Sequence, residues 1–140
     1  MSDSPAPATA AIAAPRPSHT LLVLVGLLAA AGKRIERWRR IARESSRQSR
    51  RLRLPEVRDP VRLHAALADA SACRLFLDEE GGRPMLKAAG AGETAFAVGP
   101  EGGWTGRERA EFLEVGWEQV SLGPAILRAE TAALAALAIL

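Results

Sequence analysis

Two apolar runs that each stop at a glycine-proline corner constrain this chain more than any other feature. Ala95-Phe96-Ala97-Val98 runs into Gly99-Pro100-Glu101-Gly102-Gly103, and Val120-Ser121-Leu122 runs into Gly123-Pro124. A strand that stops at such a corner and is followed by a helix is half of an α/β unit. In open α/β sheets ligands gather outside the carboxyl ends of the strands, so two corners about twenty residues apart predict opposite walls of one pocket. Leu75-Phe76-Leu77 reads as a third core strand, and its end at Asp78-Glu79-Glu80-Gly81-Gly82 is predicted to reach the same sheet edge.

Between the two corners, Thr105-Gly106-Arg107-Glu108 reads as a capping box. The Thr105 hydroxyl accepts from the Glu108 N–H, and the Glu108 carboxylate reaches back to the Thr105 N–H. A helix is therefore predicted from Gly106 to Val115, with Phe112 and Val115 facing inward. Gly116 would end it in the left-handed conformation. The glycines of the first corner let backbone approach a ligand closely, although a tight turn alone would also account for them.

The motifs around these corners carry a resemblance. Gly99-Pro100-Glu101-Gly102-Gly103-Trp104-Thr105 with Glu108, then Ser121-Leu122-Gly123, Ile126-Leu127-Arg128 and Glu130-Thr131-Ala132, resembles the signature of the RsmE family. These are ribosomal RNA methyltransferases of the SPOUT, or α/β-knot, class. Upstream, Arg37-Trp38, Ile41-Ala42, Glu44-Ser45, Gln48-Ser49, Arg51 and Pro55 resemble the helix ahead of that family's catalytic core. The three blocks follow in family order from Arg37 to the C-terminus.

The resemblance implies an α/β fold: a SPOUT-type parallel sheet with helices on both faces, a C-terminal trefoil knot and an incomplete first βα unit. It implies methyl transfer from S-adenosylmethionine to N3 of a uridine in 16S ribosomal RNA. The implied cofactor walls are Leu75, Phe76 and Leu77; Gly99, Pro100, Glu101, Gly102 and Gly103; and Ser121, Leu122, Gly123, Ile126 and Leu127, acting mostly through backbone groups. Arg128 follows the cofactor loop, where it would stabilise charge on the uracil or hold a phosphate. Its competing assignment is a salt bridge to Glu101 or Glu130. Glu101 is expected to organise its own corner rather than abstract a proton. Ala125 and Ala129 depart from the family, which commonly has arginine and threonine there. Such a reaction needs in-line placement of nucleophile and methyl and a way to lose the uracil N3 proton.

Charge supports a polyanionic partner. Lys33 to Arg62 holds twelve basic and four acidic residues, a local +8 in a chain whose net charge is +3. A basic segment on a near-neutral body points to RNA, and Arg47, Arg50 and Arg51 are the candidate contacts, with a solvated helix face as the bland alternative. Gly32 to Arg53 reads as one helix with Ile35, Trp38, Ala42, Ser45 and Ser49 inward and arginines around the rest, ended by Pro55. Asp59 as N-cap with Pro60 at the first turn predicts another helix, packing Val61, Leu63, Ala66 and Leu67. The polar, glycine-rich stretch from Gly81 to Glu93 suggests a loop with no chemistry. Cys73 is the only cysteine and His19 and His64 the only histidines, so no metal cluster is expected and Cys73 reads as a small buried core residue.

At 140 residues the chain reads as one domain. Residues 1–19 read as a disordered Ala/Pro-rich leader, and residues 20–140 as a partial SPOUT methyltransferase domain. The family's N-terminal PUA-like RNA-binding barrel has no room, so a relative shortened at the N-terminus is expected. The apolar run from Thr20 to Ala31 is too short to span a bilayer. It reads as a buried strand or hydrophobic helix, with Leu21 to Leu28 as stand-in first strand. An export signal cleaved near Gly32 is the alternative. The final Arg128 to Leu140 helix is apolar all round after its first turn and needs cover on more than one side, which suits the family's homodimers. The expected setting is cytoplasmic, with 16S ribosomal RNA or the small ribosomal subunit as partner and neither membrane nor metal. The alternative function is a catalytically weak or inactive knot-fold module for RNA binding or dimerisation.

Overall fold

A computed structural model describes residues 19–23, 31–50, 54–68, 71–90 and 92–139. Five strands form one sheet: β1 (His19–Val23), β2 (Cys73–Leu77), β3 (Arg83–Pro84), β4 (Thr94–Val98) and β5 (Glu118–Ser121). Their order is β1-β4-β2-β5-β3, and every pairing is parallel. The helices are α1 (Ala31–Gln48), α2 (Leu63–Ala66), α3 (Met85–Ala88), α4 (Gly106–Glu114) and α5 (Ala129–Ile139).

An all-parallel sheet has to be covered on both faces, and the period of two along the strands sorts the core accordingly. Phe76, Ala95 and Ala97 join Leu67, Trp104, Phe112 and Trp117 on one face. Leu75, Leu77, Phe96, Val98 and Val120 join Met85 and Ala136 on the other. On the first face Phe112 stacks on Phe76 with centroids 4.5 Å apart, and Trp104 and Trp117 meet it edge-on at 4.8 and 5.4 Å. The second face is lined by α5 and carries alanines instead. There Leu134 and Leu137 of α5 remain 69% and 44% exposed.

Local grammar explains α4. The capping box forms, with Glu108 N to Thr105 Oγ1 at 3.2 Å and Thr105 N to Glu108 Oε2 at 2.8 Å. At the other end Gly116 has φ +83, its N–H reaches Leu113 O, and Trp117 N–H reaches Phe112 O at 2.9 Å. This is a Schellman closure, which only a residue without Cβ completes freely. Val115 is not on the inner face: it is the C-cap and 44% exposed, because the chain has begun to turn there.

Three sequence expectations need correction. The α1 helix ends at Gln48, with Arg50 at φ +51, so it closes well before Pro55. Its inward stripe is Ile35, Arg39, Ala42 and Ser46, whereas Trp38, Ser45 and Ser49 are exposed. The reason is Arg39, whose Nε donates to Val57 O at 3.0 Å and whose Nη2 meets Asp59 at 2.8 Å. These bonds hold Arg39 on the covered side of the helix, where Ile35 and Ala42 stay as expected. Asp59 is thereby spent on Arg39 and caps nothing; α2 begins only at Leu63 after an uncapped Arg62, and Val61 is exposed. The stretch from Gly81 to Glu93 is more than a loop, since it supplies β3, α3 and the fully buried Met85.

The apolar run contributes β1, paired in register with β4 from His19↔Thr94 to Val23↔Val98. The rest of that run, residues 24–30, and the leader at 1–18 lie outside the described residues. Cys73 is half-buried beside the second core face.

Candidate functional site

The carboxyl ends of β2, β4 and β5 open onto one cavity of about 500 Å³. Because β2 lies between β4 and β5 in the sheet, the two glycine-proline corners stand two strands apart with the β2 end between them. Gly99, Pro100, Glu101 and Gly103 form one wall. Ser121, Leu122, Gly123, Ala125, Ile126 and Leu127 form the opposite one, and the start of α5 (Arg128, Ala129, Ala132) adjoins it. Leu77, Asp78 and Glu79 fill the gap between the walls.

Most of the residues expected at the cofactor meet here. Leu75, Phe76 and Gly102 are not among the lining. Leu75 and Phe76 point to opposite core faces, as alternate positions of a strand covered on both sides must.

Trp104 sets the spacing of the first wall. Its indole Nε1 donates to Leu77 O at 2.7 Å, tying the β4 corner to the β2 end. Gly99 suits that approach, since a Cβ there would lie 3.0 Å from the indole ring and would press it aside by a few tenths of an ångström. Gly103 N–H closes the turn on Pro100 O at 2.9 Å. In the second wall, the Ser121 hydroxyl accepts from Gly123 N at 3.1 Å and donates to Gly123 O at 3.2 Å.

Asp78 is the electrostatic hub, with its side chain fully buried. Its carboxylate accepts from Arg109 Nε at 2.6 Å and Nη2 at 3.2 Å, from Gln119 Nε2 at 2.9 Å, and from Glu80 N–H at 3.1 Å. Its own N–H donates to Val120 O at 3.0 Å. One residue therefore ties β2 to β5 and α4 beside the cavity. Burial by itself pushes the Asp78 carboxyl up, but the Arg109 hydrogen bonds, the Glu80 N–H, the Arg109 charge and the Gln119 amide together hold it below the usual carboxylate value.

Arg128 is exposed at the cavity, and its carbonyl accepts from Ala132 N at 2.8 Å to start α5. Among the described residues no ion pair joins it to Glu101 or Glu130. Glu101 is exposed, and no hydrogen bond between described residues ties its carboxylate to its corner. Arg47 and Arg50 are exposed at the end of α1, away from the lining; Arg51 lies outside the described residues. Asp78, Glu79 and Trp104 were not singled out as site residues by the sequence reading. The only signal was their position, at a strand end and within the glycine-rich motif.

This arrangement has close counterparts. An RNA methyltransferase domain family matches residues 8–140. Ribosomal RNA small subunit methyltransferase E of Mycobacterium bovis is 40% identical over 114 residues, covering 75% of this chain and 43% of that protein. The Synechocystis protein of the same name is 34% identical over 159 residues, covering 96% and 52%. This chain belongs to the RsmE family. Among solved RsmE structures, the one from Neisseria gonorrhoeae bound to S-adenosyl methionine superposes with a TM-score of 0.79 at 28% identity, covering 87% of this chain and 64% of that one. The chain thus spans about half the length of the curated RsmE relatives it matches. The matched part includes the parallel sheet and its corners.

Proposed function

We propose that this chain is the catalytic domain of an S-adenosylmethionine-dependent methyltransferase acting on N3 of a uridine in 16S ribosomal RNA. The observation that carries the reading is the single cavity bounded by both glycine-proline corners and the β2 end. Its size suits a nucleoside-sized ligand. Gly99, Gly103 and Gly123 leave bare backbone in its walls, as close approach to an adenine and an aminoacyl chain requires. Bound there, the cofactor would supply an electrophilic methyl group on a sulfonium.

The chain's own residues have separate tasks. The Gly99–Gly103 and Ser121–Leu127 walls hold the ligand between them and supply backbone donors and acceptors to its polar edges. Trp104, through Leu77 O, keeps the distance between two of the three strand ends, and orientation of this kind provides most of the acceleration in a transfer that needs in-line approach. Arg128, free of Glu101 and Glu130, stabilises negative charge on the uracil as its N3 proton leaves. Arg47, Arg50 and Arg51 hold RNA phosphates. The segment after β5 threads through a loop to make a trefoil knot, and the exposed Leu134 and Leu137 of α5 are covered by a second copy in a homodimer. Among the described residues no helix is long and apolar enough to cross a membrane and no group of three His, Cys, Asp or Glu could hold a metal. A cytoplasmic site of action fits this reading.

The test has two stages. Calorimetry on the purified chain should detect S-adenosylmethionine binding, and ribosomal RNA lacking the modification should gain N3-methyluridine. Absence of binding overturns the cofactor assignment. A second reading, an RNA-binding or dimerisation module with weak or no catalysis, is favoured by Ala125 and Ala129 lining the cavity where the family commonly has arginine and threonine. Binding of RNA without formation of N3-methyluridine would select it.

A further inference from the structure

Three consecutive acids, Asp78, Glu79 and Glu80, leave β2 at the cavity, and two of them are taken by Arg109. Its Nε meets Asp78 at 2.6 Å and its Nη2 meets Glu80 at 3.1 Å. Glu79 differs. It lines the cavity, is exposed, and has no hydrogen bond or ion pair to its carboxylate among the described residues. Its backbone is held on both sides, by the Asp78 N–H on Val120 O and by the Glu80 N–H on Asp78 Oδ1. A Cβ built on Gly103 would come within 2.7 Å of Glu79 Oε1. The carboxylate therefore lies against the bare backbone of the opposite corner, in space that any larger residue at 103 would fill.

We propose that Glu79 is a specificity-determining residue of this pocket and takes the α-ammonium of the aminoacyl end of the cofactor. This rests on the reading of the cavity as an S-adenosylmethionine site. The ligand offers two positive charges, and they are not equivalent. The ammonium presents N–H donors for charge-assisted bonds to a carboxylate and keeps its charge throughout the transfer. The sulfonium presents no N–H and loses its charge as the methyl leaves. A carboxylate against the sulfonium would stabilise the ground state more than the transition state and slow the reaction. Only the ammonium contact strengthens binding without opposing the chemistry.

Calorimetry on wild type and Glu79→Gln with three ligands tests the assignment. S-adenosylmethionine carries both charges, S-adenosylhomocysteine only the ammonium, and 5′-methylthioadenosine neither. The variant should lose roughly tenfold in affinity for the first two alike, the size of one charge-assisted bond, and none for the third. Glu79→Asp should recover part of the loss, and thermal unfolding should not move because the side chain is exposed. A loss confined to S-adenosylmethionine would put the carboxylate on the sulfonium and overturn the proposal. An equal loss for all three ligands, or no loss for any, would overturn it as well. A wild-type chain that binds none of the three removes the cofactor reading itself, and this proposal with it.

Discussion

Two arginines bridge to two aspartates in this molecule at nearly the same distance and in very different surroundings. Arg109 meets Asp78 at 2.6 Å with side chains 17% and 0% exposed; Arg39 meets Asp59 at 2.8 Å with side chains 31% and 82% exposed. The first pair sits at the cavity and shares its carboxylate with Gln119 and the Glu80 N–H, whereas the second joins α1 to an irregular stretch on the surface. Distance alone therefore says little about what an ion pair does. What matters is how much water each partner has left, because an exposed pair competes with solvent and salt while a buried carboxylate left without its partners has no alternative.

The contrast can be broken most strongly at Asp78. Asp78→Ala should destabilise the chain by about 2–4 kcal/mol, since it takes the acceptor from the Gln119 amide and the Glu80 N–H and leaves Arg109 with only the exposed Glu80, and denaturant unfolding would measure it. Affinity for S-adenosylmethionine should fall with it. A loss no larger than that of Asp59→Ala would erase the distinction between the pairs.

Trp104→Phe comes next. It keeps the aromatic contact with Phe112 but leaves Leu77 O without its donor, for a cost of about 1–3 kcal/mol. Because the bond ties the first wall of the cavity to the β2 end, ligand affinity should drop even at temperatures where the variant is fully folded.

Acid titration sharpens the comparison further. Asp78 is held below the usual carboxylate value of about 3.9, so the unfolded chain binds that proton more readily than the folded one. The stability from this group is fully present at neutral pH and is lost as pH falls through that usual value towards the lower folded one. Asp78→Asn should therefore flatten the acid limb of a plot of unfolding midpoint against pH. The smallest effect belongs to Asp59→Ala itself, for which no resolvable change in unfolding midpoint is expected at physiological salt.

Neither pair was legible beforehand. Asp78 and Arg109 are separated by 31 residues, Arg39 and Asp59 by 20, and nothing local in the chain marks them as partners. Asp59 in front of Pro60 looked like a helix cap, a sound local inference that lost to a tertiary contact. The spacing of Trp38 suits an inward helix face for the same kind of reason, but Arg39 takes the covered side by reaching Val57 O. The two-residue β3 and the buried Met85 escaped notice because a strand so short has no periodicity to detect. By contrast, the capping box and the Gly116 closure are settled by contacts within a few residues and the three core strands show as contiguous apolar runs, so these could be read directly.

The amino-acid order by itself determined the three core strands, their corners, the ends of α4 and the membership in the RsmE family, since each depends on neighbouring residues or on a contiguous motif. The one pocket between the corners was expected from the chain, but only the tertiary structure decided the strand order that sets the β2 end between them. It alone decided that Asp78 is the buried hub, and that one acid of three faces the cavity without a hydrogen bond or ion pair among the described residues. Those outcomes depend on which strands lie side by side and how much water each side chain retains, and both emerge only when the sheet assembles.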